Sequence, residues 1–485
     1  MLDSIGFLTL AIANLTSDVR SQQYSPSLRT ALVLTGSGTA GAYHAGVLRA
    51  LQEAGVKIDV VAGQGMGAVS AMFAAIDGGS RLWDKNGIWM SGVARQFYRW
   101  RKIFRVTGWI LLAAVVALVS PVILLAFTAL VYPASLVFKY AGFDFGIRLI
   151  NDYSRWLNSV FLPEALPLVL PRVVVFILLA LMITLGINYL LSVVVRARRR
   201  TRNALWRKMF GELLSVAEIR DCFAKELWKL IRGAAPISPS FTEGLSHGYV
   251  QLLSDNLGQP GFRELIITSH DIDARRDIVF ALLSEAYGSH FFNPSMRQGA
   301  RRIFEAWDLS GAGHDHAIDA LFSAVSLPVL TEPHLITFAP DSQWRGETHR
   351  TCDRPDAVGR VLEEVLNAGV EQAIVVSSAA ELTGPHALTG GRSDLRGFTG
   401  EYLASIEAAS VQDAVAVQAS QFQEMFLICP EHNPLGPFDM SGAYDKRSDR
   451  RQTLDELVDQ GYQDAYRQFI DPVIGASGEG LDVQV

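Results

Sequence analysis

Two stretches without a single charge interrupt this sequence, and they constrain its fold more than any other feature. Val106 to Phe138 runs 33 residues and Val173 to Val195 runs 23 residues with no charged side chain. As helices they reach about 50 Å and about 35 Å, against a bilayer hydrocarbon core of about 30 Å. Soluble cores rarely hold two such runs this close together, so membrane spans are expected in preference to two buried core helices. Pro121 and Pro133 leave the first run two forms, one long tilted helix or two shorter pieces. Arg95, Arg99, Arg101, Lys102 and Arg105 precede it, and Arg196, Arg198, Arg199, Arg200, Arg202, Arg207 and Lys208 follow the second run. By the positive-inside rule both outer flanks are cytoplasmic. The connection 139–172, which carries Lys139, Arg148, Arg155 and Arg172, then faces the other side or lies in the interface.

The segments on either side support this topology without reference to charge. "TALVL" and "IDVVAG" before the spans, and "RELIITSHDID", "DIVFALL" and "QAIVVSS" after them, read as strands of one sheet. Pieces of one sheet share a compartment, so the number of crossings is even. "AGVLRALQEAGVKIDVVAG" and "AVGRVLEEVLNAGVEQAIVVSS" each read as amphipathic helix, glycine stop and buried strand. The fold class is therefore α/β, a mainly parallel sheet flanked by helices and interrupted by a transmembrane helical hairpin. The expected organisation is 1–104 for the first part of the α/β domain and 105–200 for the hairpin, with a basic-to-helical return over 200–260. The second part of the domain covers 201–380, and a mostly helical extension covers 381–485, opening on the turn-rich "LTGPHALTGGRSDLRG". The protein is expected to be integral to an inner or cytoplasmic-type membrane, with its soluble domain facing the cytoplasm.

Composition agrees with that reading. Hydrophobic residues make up 49% and charged residues 19% of the 485, with a mean hydropathy of +0.20. A net charge of -6 gives no broad electrostatic basis for nucleic-acid binding. Cys222, Cys352 and Cys429 lie far apart and form no metal-type pair. The N-terminal "MLDSIGFLTLAIANLTSDVR" has Asp3 where a signal peptide would be basic, and is expected to form an interfacial helix.

Two glycine loops carry the chemistry. "GSGTAG", Gly36 to Gly41, stands between a strand and a helix, where free backbone N–H groups favour negative charge. A dinucleotide site would want an acid at the end of the second strand. Here Asp59 precedes that strand, which ends in "GQGMG", Gly63 to Gly67. This second loop has the spacing of a G-x-S-x-G nucleophile elbow, with Gly65 where the nucleophile belongs.

The order of these motifs resembles the patatin-like phospholipases. That family has a G-G-G-x-R-G oxyanion loop, a G-x-S-x-G elbow roughly 25 residues on, and an Asp-Gly-Gly or Asp-Gly-Ala whose aspartate completes a Ser-Asp dyad. "GAYHAGVLRALQEAGVKIDVVAG" is what stands between the first two motifs in such proteins, and "DALFSAVSLPVL" is similar to the segment that leads to the aspartate. By that register the resemblance implies Asp353, in "TCDRPDAVG", as candidate base. It implies Gly36, Ser37, Gly38, Thr39, Ala40 and Gly41 as oxyanion or ligand-binding loop, and Gly63, Gln64, Met66 and Gly67 as the rest of the elbow.

Every one of these motifs departs from the pattern. Gly65 has no side chain, Arg354 and Pro355 replace the two glycines after Asp353, and Ser37 and Ala40 replace a glycine and an arginine in the loop. Loss of the nucleophile costs about 10⁶ in rate in a serine hydrolase. The turn that aims Asp353 is expected to be lost, whereas the backbone donors of the loop are expected to survive. Ser70 and His44 are expected to pack or bond locally, and Ser37 has no base near it in sequence. His314 and His316 are expected in a polar loop, with no metal and no cofactor implied. "CPEHNPLGPFDMSGAYDKRSDRR" is expected as a solvated, salt-bridged cap, with a lid or partner-binding role as alternative.

The resulting expectation is a catalytically disabled phospholipase relative that binds phospholipid or an acyl chain. The alternatives are an active lipid acyl hydrolase, with water activated by Asp353 or with Gly65 standing in place of a natural Ser, and a nucleotide-binding membrane protein.

Overall fold

A computed structural model describes residues 24–143, 145–160, 166–196, 211–233, 242–293, 302–380 and 394–474. The expected N-terminal interfacial helix, the basic cluster from Arg198 to Lys208 and most of the turn-rich linker lie outside these residues. Contacts divide the chain into two compact units, Met1–Arg99 with Ser215–Val485, and Trp100–Leu214.

The first unit opens with β1 (Thr30–Thr35), a strand buried at every position, as suits the middle of a parallel sheet. The glycine loop leads into α1 (Ala40–Glu53), and β2 (Val60–Gly63) leads through the second loop into α2 (Met66–Ala75).

The chain then enters the second unit. Here α3 (Lys102–Tyr140) is one unbroken helix of 39 residues, about 58 Å long, so the two-piece form of the first apolar run does not occur. Proline at 121 removes the amide that would bond the Ala117 carbonyl, and the Ser120 hydroxyl donates to that carbonyl at 2.8 Å. Next comes α4 (Phe145–Val160), an amphipathic helix that folds back along α3. Its Tyr153 hydroxyl donates to the Leu124 carbonyl at 2.6 Å, and Phe145 meets Phe138 edge-on. Its outer face carries an Arg155–Asp152 pair. The unit closes with α5 (Leu166–Arg196), which packs against α3. Among the described residues, three windows are long and apolar enough to cross a membrane: Lys102–Ser120 and Val122–Tyr140, both in α3, and Arg172–Leu191 in α5. The Arg101 amide donates to the Leu213 carbonyl at 3.1 Å, so the unit starts and ends at neighbouring residues.

Back in the first unit, α6 (Ala217–Arg232) and α7 (Thr242–Asn256) precede the strands β3 (Glu264–Asp271), β4 (Arg276–Leu282) and β5 (Ala306–Asp308). Then follow α8 (Ala317–Ala324), β6 (His334–Thr337), β7 (Thr348–Cys352), α9 (Val358–Asn367) and β8 (Gln372–Ser377). The extension supplies α10 (Leu395–Gln418), β9 (Glu424–Ile428) and α11 (Leu454–Ala465). Strand order is β5-β4-β3-β2-β1-β8-β9, with β7 pairing β3 and β6 at one side. The run β3-β2-β1-β8-β9 is parallel throughout, while β3 runs antiparallel to β4 and β7, and β7 to β6. Val60 pairs with Glu264 and Thr30 with Gln372, so strands from before and after the insertion share one sheet. Its core is aliphatic and fully closed, with Val33, Val60, Ile266, Val361 and Val375 at its centre.

Candidate active site

Parallel β1 and β2 both end at one edge of the sheet, and each hands its chain to a helix through a glycine loop. That topology sets Gly36–Gly41 beside Gly63–Gly67, the usual ligand edge of an open α/β sheet. Gly65 sits at φ +57°, ψ -133°, a sharp strand-to-helix turn of the kind a G-x-S-x-G elbow uses. Gly63 ends β2, and the Gln64 amide donates to the Leu34 carbonyl at 3.3 Å. Met66 and Gly67 open α2.

Asp353 lies just past β7 and points at this elbow. A Cβ built on Gly65 would stand 2.9 Å from its Oδ2, which is where a serine side chain would begin. The Arg354-Pro355 turn does not misdirect the carboxylate, contrary to the expectation from its sequence. The Arg354 amide donates to Asp353 Oδ1 at 2.8 Å, the Gln64 side chain donates to the Pro355 carbonyl at 3.3 Å, and the Arg354 guanidinium turns outward to Asp277 and Asp356. Burial pushes the Asp353 carboxyl up to about 7, against the opposing effect of hydrogen bonds from the Arg354 amide, the Ser37 hydroxyl and the Gly65 amide.

Two things here were not legible in the sequence. First, Ser37 does have a carboxylate partner: its Oγ donates to Asp353 Oδ2 at 3.2 Å. Second, Glu407 on α10 buries its carboxyl beside the glycine loop. It accepts from the Ser37 amide and from the Ser377 hydroxyl, and burial together with the Asp353 charge pushes it up to about 8. Ser37 thus stands between two carboxyl groups. No local signal singles out Glu407, since it is one glutamate in a long helix 370 residues away from Ser37.

Several backbone donors around the loop are taken up within the chain rather than left free. The Met66 amide, which follows the nucleophile position, donates to the Gly36 carbonyl at 2.7 Å. The Thr39 amide donates to the Pro437 carbonyl at 3.1 Å, and the Thr39 hydroxyl to the Gly436 carbonyl at 3.1 Å. Gly38, at φ +60°, makes that approach possible, because a Cβ there would overlap the Pro437 carbonyl. Gly36 to Gly41, Ala40 included, are buried, as are Gln64 and Met66. A pyrophosphate has no approach to this loop as it stands.

The remaining candidates fall into structural roles. His44 holds the Thr35 carbonyl through Nε2 at 2.8 Å and lies 3.4 Å from the Ser70 hydroxyl, and burial lowers its pKa to about 4, so it is neutral. Ser70 also donates to the Met66 carbonyl. His316 pairs with Asp319, and the His314 ring lies 3.1 Å from the Gly311 carbonyl. Among the described residues no group of three or more His, Cys, Asp or Glu could hold a metal ion.

The tail segment divides in two. His432–Asp445 and Arg450–Glu456 form the expected salt-bridged cap. Leu435, Phe438 and Met440 are instead buried, so this stretch is not solvated.

Comparison with known proteins gives one family. Residues 32–130 match the patatin-like phospholipases. The solved structure of VipD from Legionella pneumophila is similar at 13% identity, covering 94% of this chain and 69% of its own, with a TM-score of 0.29. A search of curated proteins gives no significant match.

Proposed function

We propose, from the match of residues 32–130 to the patatin-like phospholipases, that this protein is a membrane-anchored phospholipase relative that binds acyl-bearing lipid and has lost acyl transfer. The carrying observation is the closure of the elbow onto the glycine loop. The Gly36 carbonyl takes the Met66 amide, and it lies 2.7 Å from any Cβ built at position 65. A nucleophilic side chain is therefore absent, one placed there would have to displace the Gly36 carbonyl, and the Met66 amide beside it is engaged. Asp353 retains its place but has no elbow hydroxyl to deprotonate.

The apolar helices α3 and α5 supply the anchor. Apolar side chains such as Leu130, Phe176 and Met182 are two-thirds or more exposed, a surface that water disfavours and hydrocarbon accepts. Arg95, Arg99, Arg101, Lys102 and Arg105 at the entry to the insertion favour a cytoplasmic side for the α/β unit.

The test is fatty-acid release from mixed phospholipid vesicles by the full chain, by Gly65→Ser and by Asp353→Asn. None of the three is expected to release fatty acid, and Gly65→Ser is expected to stay silent because its Cβ meets the Gly36 carbonyl. Turnover by the natural chain that Asp353→Asn abolishes overturns the reading. One contact favours a second reading, an active hydrolase with a displaced nucleophile: Ser37 and Asp353 still join a hydroxyl to a carboxyl. A fluorophosphonate that labels the chain, and fails to label Ser37→Ala, would establish it.

A further inference from the structure

The glycine loop is not empty. It holds a carbonyl oxygen, and that oxygen belongs to the chain itself. Resting on the lipid-binding reading above, we infer that Gly436-Pro437-Phe438 is an internal ligand of the glycine loop, its Pro437 carbonyl standing where an acyl carbonyl would, so that strap and lipid compete for the Thr39 amide.

Several independent contacts build this arrangement. Thr39 binds two successive carbonyls of the strap, Pro437 through its amide and Gly436 through its hydroxyl. The Gly436 amide donates to Asp439 Oδ2 at 2.7 Å and the Asp439 amide returns to the Gly436 carbonyl at 3.0 Å, which fixes the turn that presents Pro437. Arg396 donates to the Phe438 carbonyl at 2.5 Å, and the Phe438 ring packs edge-on against Tyr98 at 5.6 Å. Tyr98 adopts φ +49°, an uncommon conformation for a tyrosine, held by its hydroxyl on the Val325 carbonyl at 2.9 Å. Asn433 anchors the near end of the strap on the Ser378 carbonyl at 2.9 Å.

The surroundings select the competitor. Behind the loop stand the carboxyl groups of Asp353 and Glu407, both meeting Ser37. Burial raises both, so near neutrality they are partly protonated, and the ionised fraction repels an anion. A neutral ester carbonyl, which resembles the peptide carbonyl already bound, fits this site, whereas a phosphate group meets one or two carboxylates. The competing ligand is thus the acyl ester of a neutral lipid, which the carboxyl groups on Ser37 favour over a headgroup phosphate.

The experiment uses the full chain in detergent, a diacylglycerol bearing a diazirine on one acyl chain, and mapping of the label to residues 36–41 and 66. Amide exchange of Thr39 is followed in parallel. Phe438→Ala removes the ring that packs on Tyr98 and loosens the strap. Thr39 exchange and loop labelling are both expected to rise at least tenfold in this variant, with competition by unlabelled diacylglycerol and none by phosphatidic acid. If Phe438→Ala fails to fold, Arg396→Gln, which removes the guanidinium that holds the Phe438 carbonyl and faces its ring, replaces it. Faster Thr39 exchange with unchanged loop labelling, while label still enters elsewhere in the α/β unit, overturns the competition and leaves lipid binding standing. Equal competition by phosphatidic acid overturns the choice of a neutral carbonyl. No specific labelling in either chain overturns the lipid-binding reading, and the competition with it.

Discussion

The α/β unit and the helical insertion are built from the same apolar residue types and treat them in opposite ways. In β1, Ala31, Leu32, Val33 and Leu34 are fully buried, whereas in the insertion Leu130, Phe176 and Met182 are 66%, 69% and 71% exposed. Apolar area removed from water contributes roughly 25 cal/mol per Å². The first unit gains this within itself, and the second gains it only from another apolar phase. Hydropathy alone does not separate these cases. Pattern does: a strand of six residues closed by a glycine loop belongs to a sheet, and an uncharged run of 33 has no sheet to enter.

The sharpest way to break the comparison is to place a charge on each side of it. Val33→Asp puts an unpaired carboxylate in the central strand and is expected to abolish folding of the α/β unit, seen as loss of the cooperative urea transition. Met182→Arg in α5 is expected to leave that transition in place while weakening insertion by about 3 kcal/mol, read as partial extraction from membranes by alkaline carbonate. Equal loss of folding in both variants would erase the distinction between the units.

A second contrast concerns charge inside the first unit. Asp353 and Glu407 are raised from ordinary values of 3.8 and 4.5 to about 7 and about 8. Unfolding therefore releases protons between those limits. The stability these two groups contribute is fully present below about pH 4, declines as pH rises, and is lost by about pH 8. The double variant Asp353→Asn, Glu407→Gln is expected to flatten this dependence, with urea midpoints at pH 5 and pH 8 differing less than in the natural chain. An unaltered slope would show that other groups set it. The smallest effect belongs to the strap. Thr39→Val removes the hydroxyl bond to Gly436 while keeping the amide bond to Pro437, and is expected to cost about 1 kcal/mol.

Legibility follows the range over which each signal acts. The two β-loop-α units, the amphipathic α9 followed by β8, and the strands β3 and β4 are written in local periodicity and turn chemistry, and the structure contains them at those places. Asp353 was placed by motif register, and the structure sets it against Gly65. The aim of its carboxylate was misjudged because an Arg-Pro turn can present an amide to the preceding side chain as glycine does. Sequence leaves the form of α3 open because proline removes one hydrogen bond, and only the folded helix reveals that Ser120 takes up the freed carbonyl.

The sequence by itself therefore determined the α/β class, the existence of an apolar insertion and a glycine at position 65 of the second loop, and the motif register pointed to Asp353 as its neighbour. All of these depend on side-chain type and spacing. The tertiary structure alone decided that Ser37 meets Asp353 across 316 residues, that Glu407 shares its buried neighbourhood, and that Pro437 fills the glycine loop. The physical reason is clearest for the last. The group that closes the site is a backbone carbonyl, which every residue possesses, so no side-chain pattern could announce it, and only the path of the folded chain carries it there.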